Sequence, residues 1–116
     1  MGTARFAAYA ASKFAVIGFT QALAHELAAH RITVNAICPG LVDTERVDCI
    51  AGALAPPGVP VSEFRAQFVQ QCTAASPLGR IATPSDIANM AAFLASSESD
   101  FLTGLAIAVS GGAVMS

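Results

Sequence analysis

The chain has 116 residues, 54% of them hydrophobic and 12% charged, with a formal net charge of −2. That length fits one small domain, and so apolar a composition excludes a disordered chain. The six Lys and Arg do not cluster, which argues against a nucleic-acid partner, and the apolar stretches are broken by Lys, Gln, His and Glu, which argues against a membrane span.

So few charges predict a chain buried on more sides than it can cover by itself. Met1–Phe6 has neither the basic start nor the apolar run of a secretory signal. Gly2 fits the start of a myristoylation pattern, but Phe6 stands where that pattern wants Ser or Thr. Cys38, Cys49 and Cys72 are odd in number and show no metal-ligand spacing. Three reduced thiols in a cytoplasmic protein, with no metal, is the simplest reading.

In chain order, residues 7 to 30 read as a long helix, rich in Ala, Leu, Lys, Gln and Glu and free of Pro. Its apolar residues, among them Phe14, Val16, Phe19 and Leu23, point several ways, which predicts packing against more than one neighbour. Tyr9 and Lys13 are four apart on this helix, so they lie one turn apart on one face. An ammonium beside a phenol favours the phenolate, the state a Tyr needs in order to exchange protons at neutral pH. Taken alone, so short a motif is more often a half-buried Tyr beside a solvated Lys. His25 and His30 are five apart and read as solvated residues of the helix end.

Residues 32 to 38 are β-branched and apolar and read as a strand buried on both faces, stopped at Pro39-Gly40. Residues 41 to 76 are less regular, with a loop at residues 55 to 60 and a short helix over 62 to 70 that Ser62 could cap. Glu63 and Arg65 read as an exposed face, while Phe64 and Phe68 read as packing residues or a lid. Thr83 is the predicted cap of a helix that starts at Pro84, with Asp86 in its first turn. Residues 105 to 109 read as a second buried strand. Strand, helices, strand implies a parallel pair with a right-handed crossover, although two strands are few for a stable sheet.

Several short patterns recur here in a known order. They are Tyr9-Ala10-Ala11-Ser12-Lys13, Asn35-Ala36-Ile37-Cys38-Pro39-Gly40 with Thr44 beyond it, Pro77-Leu78-Gly79-Arg80, Pro84-Ser85-Asp86-Ile87-Ala88, and Thr103-Gly104 followed by Val109-Ser110-Gly111-Gly112. Together they resemble the C-terminal half of a classical short-chain dehydrogenase/reductase, and the resemblance runs through residues 1–116. One Tyr-x-x-x-Lys is a weak signal; five landmarks in order are a strong one.

The resemblance implies an α/β fold, the C-terminal half of a Rossmann-type doubly wound parallel sheet. It implies an NAD(P)-dependent oxidoreductase acting on an alcohol/carbonyl pair. Tyr9 would be the acid/base and Lys13 its modulator, with Lys13 also holding the nicotinamide ribose. Pro39, Gly40 and Val42 would line the nicotinamide, Val42 through its backbone. Thr44 would bond the carboxamide or a phosphate, although a plain helix cap is nearly as good a reading. Asn35 reads as a bridge between backbone segments as readily as a cofactor contact. Residues 45 to 76 would form the substrate loop. The implied partners are NAD or NADP, a small-molecule alcohol or carbonyl substrate, and further copies of the chain in a homo-oligomer, with no nucleic acid and no membrane.

Some expected parts are missing from these residues. No Gly-rich turn follows a strand and opens a helix, and Gly111-Gly112 lies at the wrong end to replace it. The residue that chooses between NAD and NADP has no counterpart, and the family's catalytic Ser would fall upstream of Met1. The expectation is therefore a truncated chain that begins as if at an internal Met and is inactive alone. The alternative is a non-catalytic remnant that serves as an oligomerisation or interaction module.

Overall fold

The computed structural model describes residues 7–114. Met1–Phe6, read above for a leader, lies outside them. The described residues form α1 (Ala7–Leu27), β1 (Ala36–Pro39), α2 (Glu45–Leu54), α3 (Val61–Ala75), α4 (Pro84–Ala95) and β2 (Ala106–Val109). The two strands are neighbours in a parallel sheet, so the α/β class and the partial Rossmann-type architecture hold. The chain divides into two compact units, Met1–Ile37 with Ala92–Ile107, and Cys38–Ala91 with Ala108–Ser116.

In the first unit, α1 buries Thr20 and Ala24. The Thr20 hydroxyl is satisfied inside its own helix, donating to the Val16 carbonyl at 2.7 Å. The helix tightens into a 3₁₀ turn at Ala28–His30 and stops at Arg31, whose φ of 57° is left-handed. The expectation that α1 packs on several sides is not met among the described residues. Phe14, Val16 and Phe19 remain more than half exposed.

The strand predicted over residues 32 to 38 is shorter and later, at Ala36–Pro39, and only Ala36 is fully buried. Residues before it spend their hydrogen-bonding groups elsewhere. The Val34 N–H donates to Thr103 Oγ1 at 3.0 Å, and the Val34 carbonyl accepts from the Gly104 N–H at 2.7 Å. Asn35 donates from Nδ2 to the Leu102 carbonyl at 3.0 Å and accepts at Oδ1 from the Leu105 N–H at 3.1 Å. Asn35 is thus a clip between two backbone segments, the structural alternative named for it above. The sheet ladder starts only at Ala36, whose N–H meets the Leu105 carbonyl at 2.8 Å. Buried Ser99 is satisfied by donation to the Leu94 and Ser96 carbonyls.

The second unit holds the greater departure from the sequence reading. The irregular stretch after Gly40 contains a full helix, α2, capped by Thr44 in extended conformation. The helix α3 begins at Val61 after Pro60, so Ser62 is inside it rather than its cap, and it runs on to Ala75. α2 packs on α3, burying Val47 and Ala51. The Phe64 and Phe68 rings stack with centroids 6.4 Å apart, the packing role expected of them.

The helix α4 starts where Thr83 predicts. The Thr83 N–H donates to Asp86 Oδ2 at 2.7 Å, while the Asp86 N–H reaches back to Thr83 Oγ1 at 3.4 Å, a reciprocal cap. Arg80 adds a two-pronged pair with the same carboxylate, at 2.6 and 2.9 Å. The Arg80 guanidinium first, and the Thr83 N–H second, hold the Asp86 carboxyl well below the usual carboxylate range.

Candidate functional site

Tyr9 and Lys13 belong to the first unit, near the start of α1. Helix geometry delivers the expected pairing, with Lys13 Nζ 5.2 Å from the centre of the Tyr9 ring. Tyr9 is 51% exposed, so its phenol is open to a reacting partner. Ser12, between them in sequence, donates from Oγ to the Tyr9 carbonyl at 2.7 Å. That bond occupies Ser12 with the helix backbone, in line with its reading as a helix-face hydroxyl.

Pro39, Gly40, Val42 and Thr44 belong to the second unit. Pro39 closes β1, and Gly40 follows with its N–H on the Val109 carbonyl at 3.0 Å. A side chain at Gly40 would put its Cβ 3.1 Å from Ser110 Cβ and 3.2 Å from Ser110 Cα, which explains the glycine by close approach. Val42 pairs with Ala82 in a parallel bridge. The bridge uses the Leu41 carbonyl and the Asp43 N–H, at 2.9 and 2.8 Å. Because extended backbone alternates its polar groups from side to side, the N–H and carbonyl of Val42 itself face away from Ala82. Thr44 caps α2 in backbone conformation only; its side chain makes no capping hydrogen bond.

Two features of this unit leave little trace in the sequence. Arg65, read above as part of an exposed face, stands at the surface with two acidic partners. Its Nε lies 2.5 Å from Asp48 Oδ1 and its Nη2 lies 3.2 Å from Asp43 Oδ1. The hydrogen bond to Asp48, then that to Asp43, raises the pKa of the guanidinium further. The only sequence signal was a lone Arg among nearby acidic residues. A shallow cleft in the same unit is lined by Gly40, Cys72, Ser76 and Ser110 among others. Burial pushes the Cys72 thiol up, which keeps it protonated and a poor nucleophile. Among the described residues no group of His, Cys, Asp and Glu is arranged to hold a metal ion, and no helix is long and apolar enough to cross a membrane.

The geometry has relatives. A family model described as enoyl-(acyl carrier protein) reductase matches residues 1–114. A diacetyl reductase [(S)-acetoin forming] from Staphylococcus aureus is 44% identical over 105 residues, covering 90% of this chain and 39% of its own length. A short chain dehydrogenase family protein from Francisella tularensis superposes with a TM-score of 0.79 at 35% identity, over 97% of this chain and 46% of that one. A variant of actinorhodin polyketide ketoreductase with NADPH gives 0.84 at 37% identity, over 97% of this chain and 42% of that one. The chain thus spans about two-fifths of the length of the curated relatives it matches.

Proposed function

The chain belongs to the short-chain dehydrogenase/reductase family, and on that premise we propose that it carries the acid/base half of an NAD(P)-dependent oxidoreductase acting on a small alcohol/carbonyl pair. The observation that carries this reading is the Lys13 ammonium lying 5.2 Å from the Tyr9 ring centre. A bound nicotinamide dinucleotide, NAD or NADP, would supply or take up the hydride. The Tyr9 hydroxyl would give a proton to the carbonyl oxygen as negative charge grows there, and in the reverse direction the Tyr9 phenolate would remove one from the alcohol. Lys13 would be the modulator of Tyr9 and would hold the nicotinamide ribose of a bound cofactor.

The second unit fits the nicotinamide end of such a cofactor. Pro39 and Gly40 end the strand β1, and the glycine lets the chain pass close to Ser110 as it leaves the sheet. Val42 has backbone groups turned away from Ala82, and Thr44 has a hydroxyl not spent on its helix. Residues 45 to 76, the α2–α3 pair and its flanks, are the proposed substrate-selecting segment. The likeness to a diacetyl reductase makes a small vicinal diketone the first substrate to try.

Among the described residues no Gly-rich turn follows a strand and opens a helix, so they offer no such cradle for the pyrophosphate of the cofactor. We therefore read residues 1–116 as a partial dehydrogenase/reductase domain, inactive alone. The test is to join the chain to the N-terminal part of the S. aureus diacetyl reductase and follow diacetyl-dependent oxidation of NADH and NADPH. Activity should appear, and Tyr9→Phe should lower turnover by a factor of about 10² to 10⁴. Undiminished turnover with Phe at position 9 would show that the pair is only a helix face.

A second reading, a module for self-association, is favoured by Phe14, Val16 and Phe19, all more than half exposed on α1. It is compatible with the first, since an oxidoreductase in the cytoplasm that forms a homo-oligomer would bury such apolar residues between its copies.

A further inference from the structure

We propose that Arg65 is a positioning residue: by gripping Asp43 on one side of Thr44 and Asp48 on the other, it holds the start of α2 so that the Thr44 hydroxyl stays free for a nicotinamide dinucleotide. The inference rests on the reading that Thr44 touches the cofactor.

A helix start leaves backbone N–H groups without partners, and an N-cap Thr ordinarily turns its side chain back to take one of them. A hydroxyl used in that way is held in a fixed direction and has one acceptor site fewer for a ligand. Thr44 has the extended backbone of a cap, with φ −142° and ψ 173°, yet no side-chain capping bond. Something else must fix the entry of the chain into α2. One backbone bond helps, from the Val47 N–H to the Thr44 carbonyl at 3.0 Å.

Arg65 supplies the rest. Asp43 is anchored before the cap, its N–H on the Ala82 carbonyl at 2.8 Å. Asp48 lies in the first turn of α2. Nη2 of Arg65 takes Oδ1 of Asp43 and Nε takes Oδ1 of Asp48, so one rigid guanidinium spans the junction. A planar fork can serve two carboxylates in fixed directions, whereas the Lys ammonium is a mobile point charge. Arg65 itself stands on α3, so the clasp also ties the proposed substrate-selecting helix to the residues proposed to hold the cofactor.

The experiment uses the isotopically labelled chain and nicotinamide mononucleotide, which carries only the nicotinamide half of the cofactor. The mononucleotide should shift the Thr44 methyl and amide resonances in the parent. Arg65→Gln should weaken that binding about fivefold and speed amide exchange in the first turn of α2 by a similar factor, the size expected of an exposed charge network. Exchange in α1 should be unchanged. High salt should act on the parent as Arg65→Gln does. Arg65→Lys, which keeps the charge, should recover only part of the loss, and it carries the test if the Gln variant loses protection throughout.

The failures are distinguishable. If Thr44 of the parent does not respond to the mononucleotide, the cofactor reading falls and takes this inference with it. If the parent responds but the variants bind as tightly, or exchange at α2 is unaltered, the role of Arg65 is refuted while the cofactor reading stands.

Discussion

Replacing Gly111 by Ala should destabilise the second unit by about 2 kcal/mol, through two separable effects. Gly111 has φ +62°, where an L-residue costs about 1 kcal/mol relative to Gly. A Cβ built there would also lie 2.5 Å from Ser76 Oγ, too close to stand. Ser76 is buried, and its hydroxyl donates to the Gly111 carbonyl at 3.2 Å. Driving that hydroxyl aside sacrifices a bond of about 1 kcal/mol, although the same carbonyl keeps the Leu78 N–H at 3.1 Å. Gly79 is the control: its φ is +76°, but a Cβ there meets nothing within 4 Å. Gly79→Ala should therefore show the backbone effect alone. The assay is the urea midpoint of each variant at constant m-value. Adding Ser76→Ala to Gly111→Ala removes the clashing atom, so the double variant should lose less than the sum of the singles. Equal losses at positions 79 and 111, or strict additivity with Ser76→Ala, would refute the steric part of the argument.

Three further outcomes are expected. Lys13→Met in the joined, active protein should lower turnover and weaken the apparent affinity for the cofactor together, because both tasks fall to one ammonium; steady-state kinetics with varied NADPH read the two separately, and a turnover effect alone would remove the ribose role. Asp86→Asn should lower stability at neutral pH, and the gap to the parent should close as pH falls through and below the ordinary carboxylate range of about 4, because a depressed folded pKa stabilises only while the group is ionised; a gap that widens on acidification contradicts the Arg80 pairing. Sedimentation at several concentrations should show self-association, weakened by Phe19→Glu on the exposed face of α1; a monomer at all concentrations rejects it.

What the sequence determined by itself was local. The Tyr9–Lys13 spacing, the Pro39-Gly40 stop, the Thr83-Pro84 start and the extent of α1 all rest on contacts within a few residues, which helix periodicity and cap chemistry fix. The family was legible for the same reason, since its landmarks are short patterns in a set order. Tertiary structure decided the rest. It shortened β1, because Val34 and Asn35 bond to a loop almost seventy residues away in sequence. It made α2 from a stretch of weak helical pattern, because Val47 and Ala51 find a surface on α3 to bury against. It gave the surface charge of Arg65 two acidic partners, and it brought Ser110 against Gly40 and Ser76 against Gly111. A partner chosen across many residues leaves no periodic trace along the chain, because only folding brings the two groups within reach of each other.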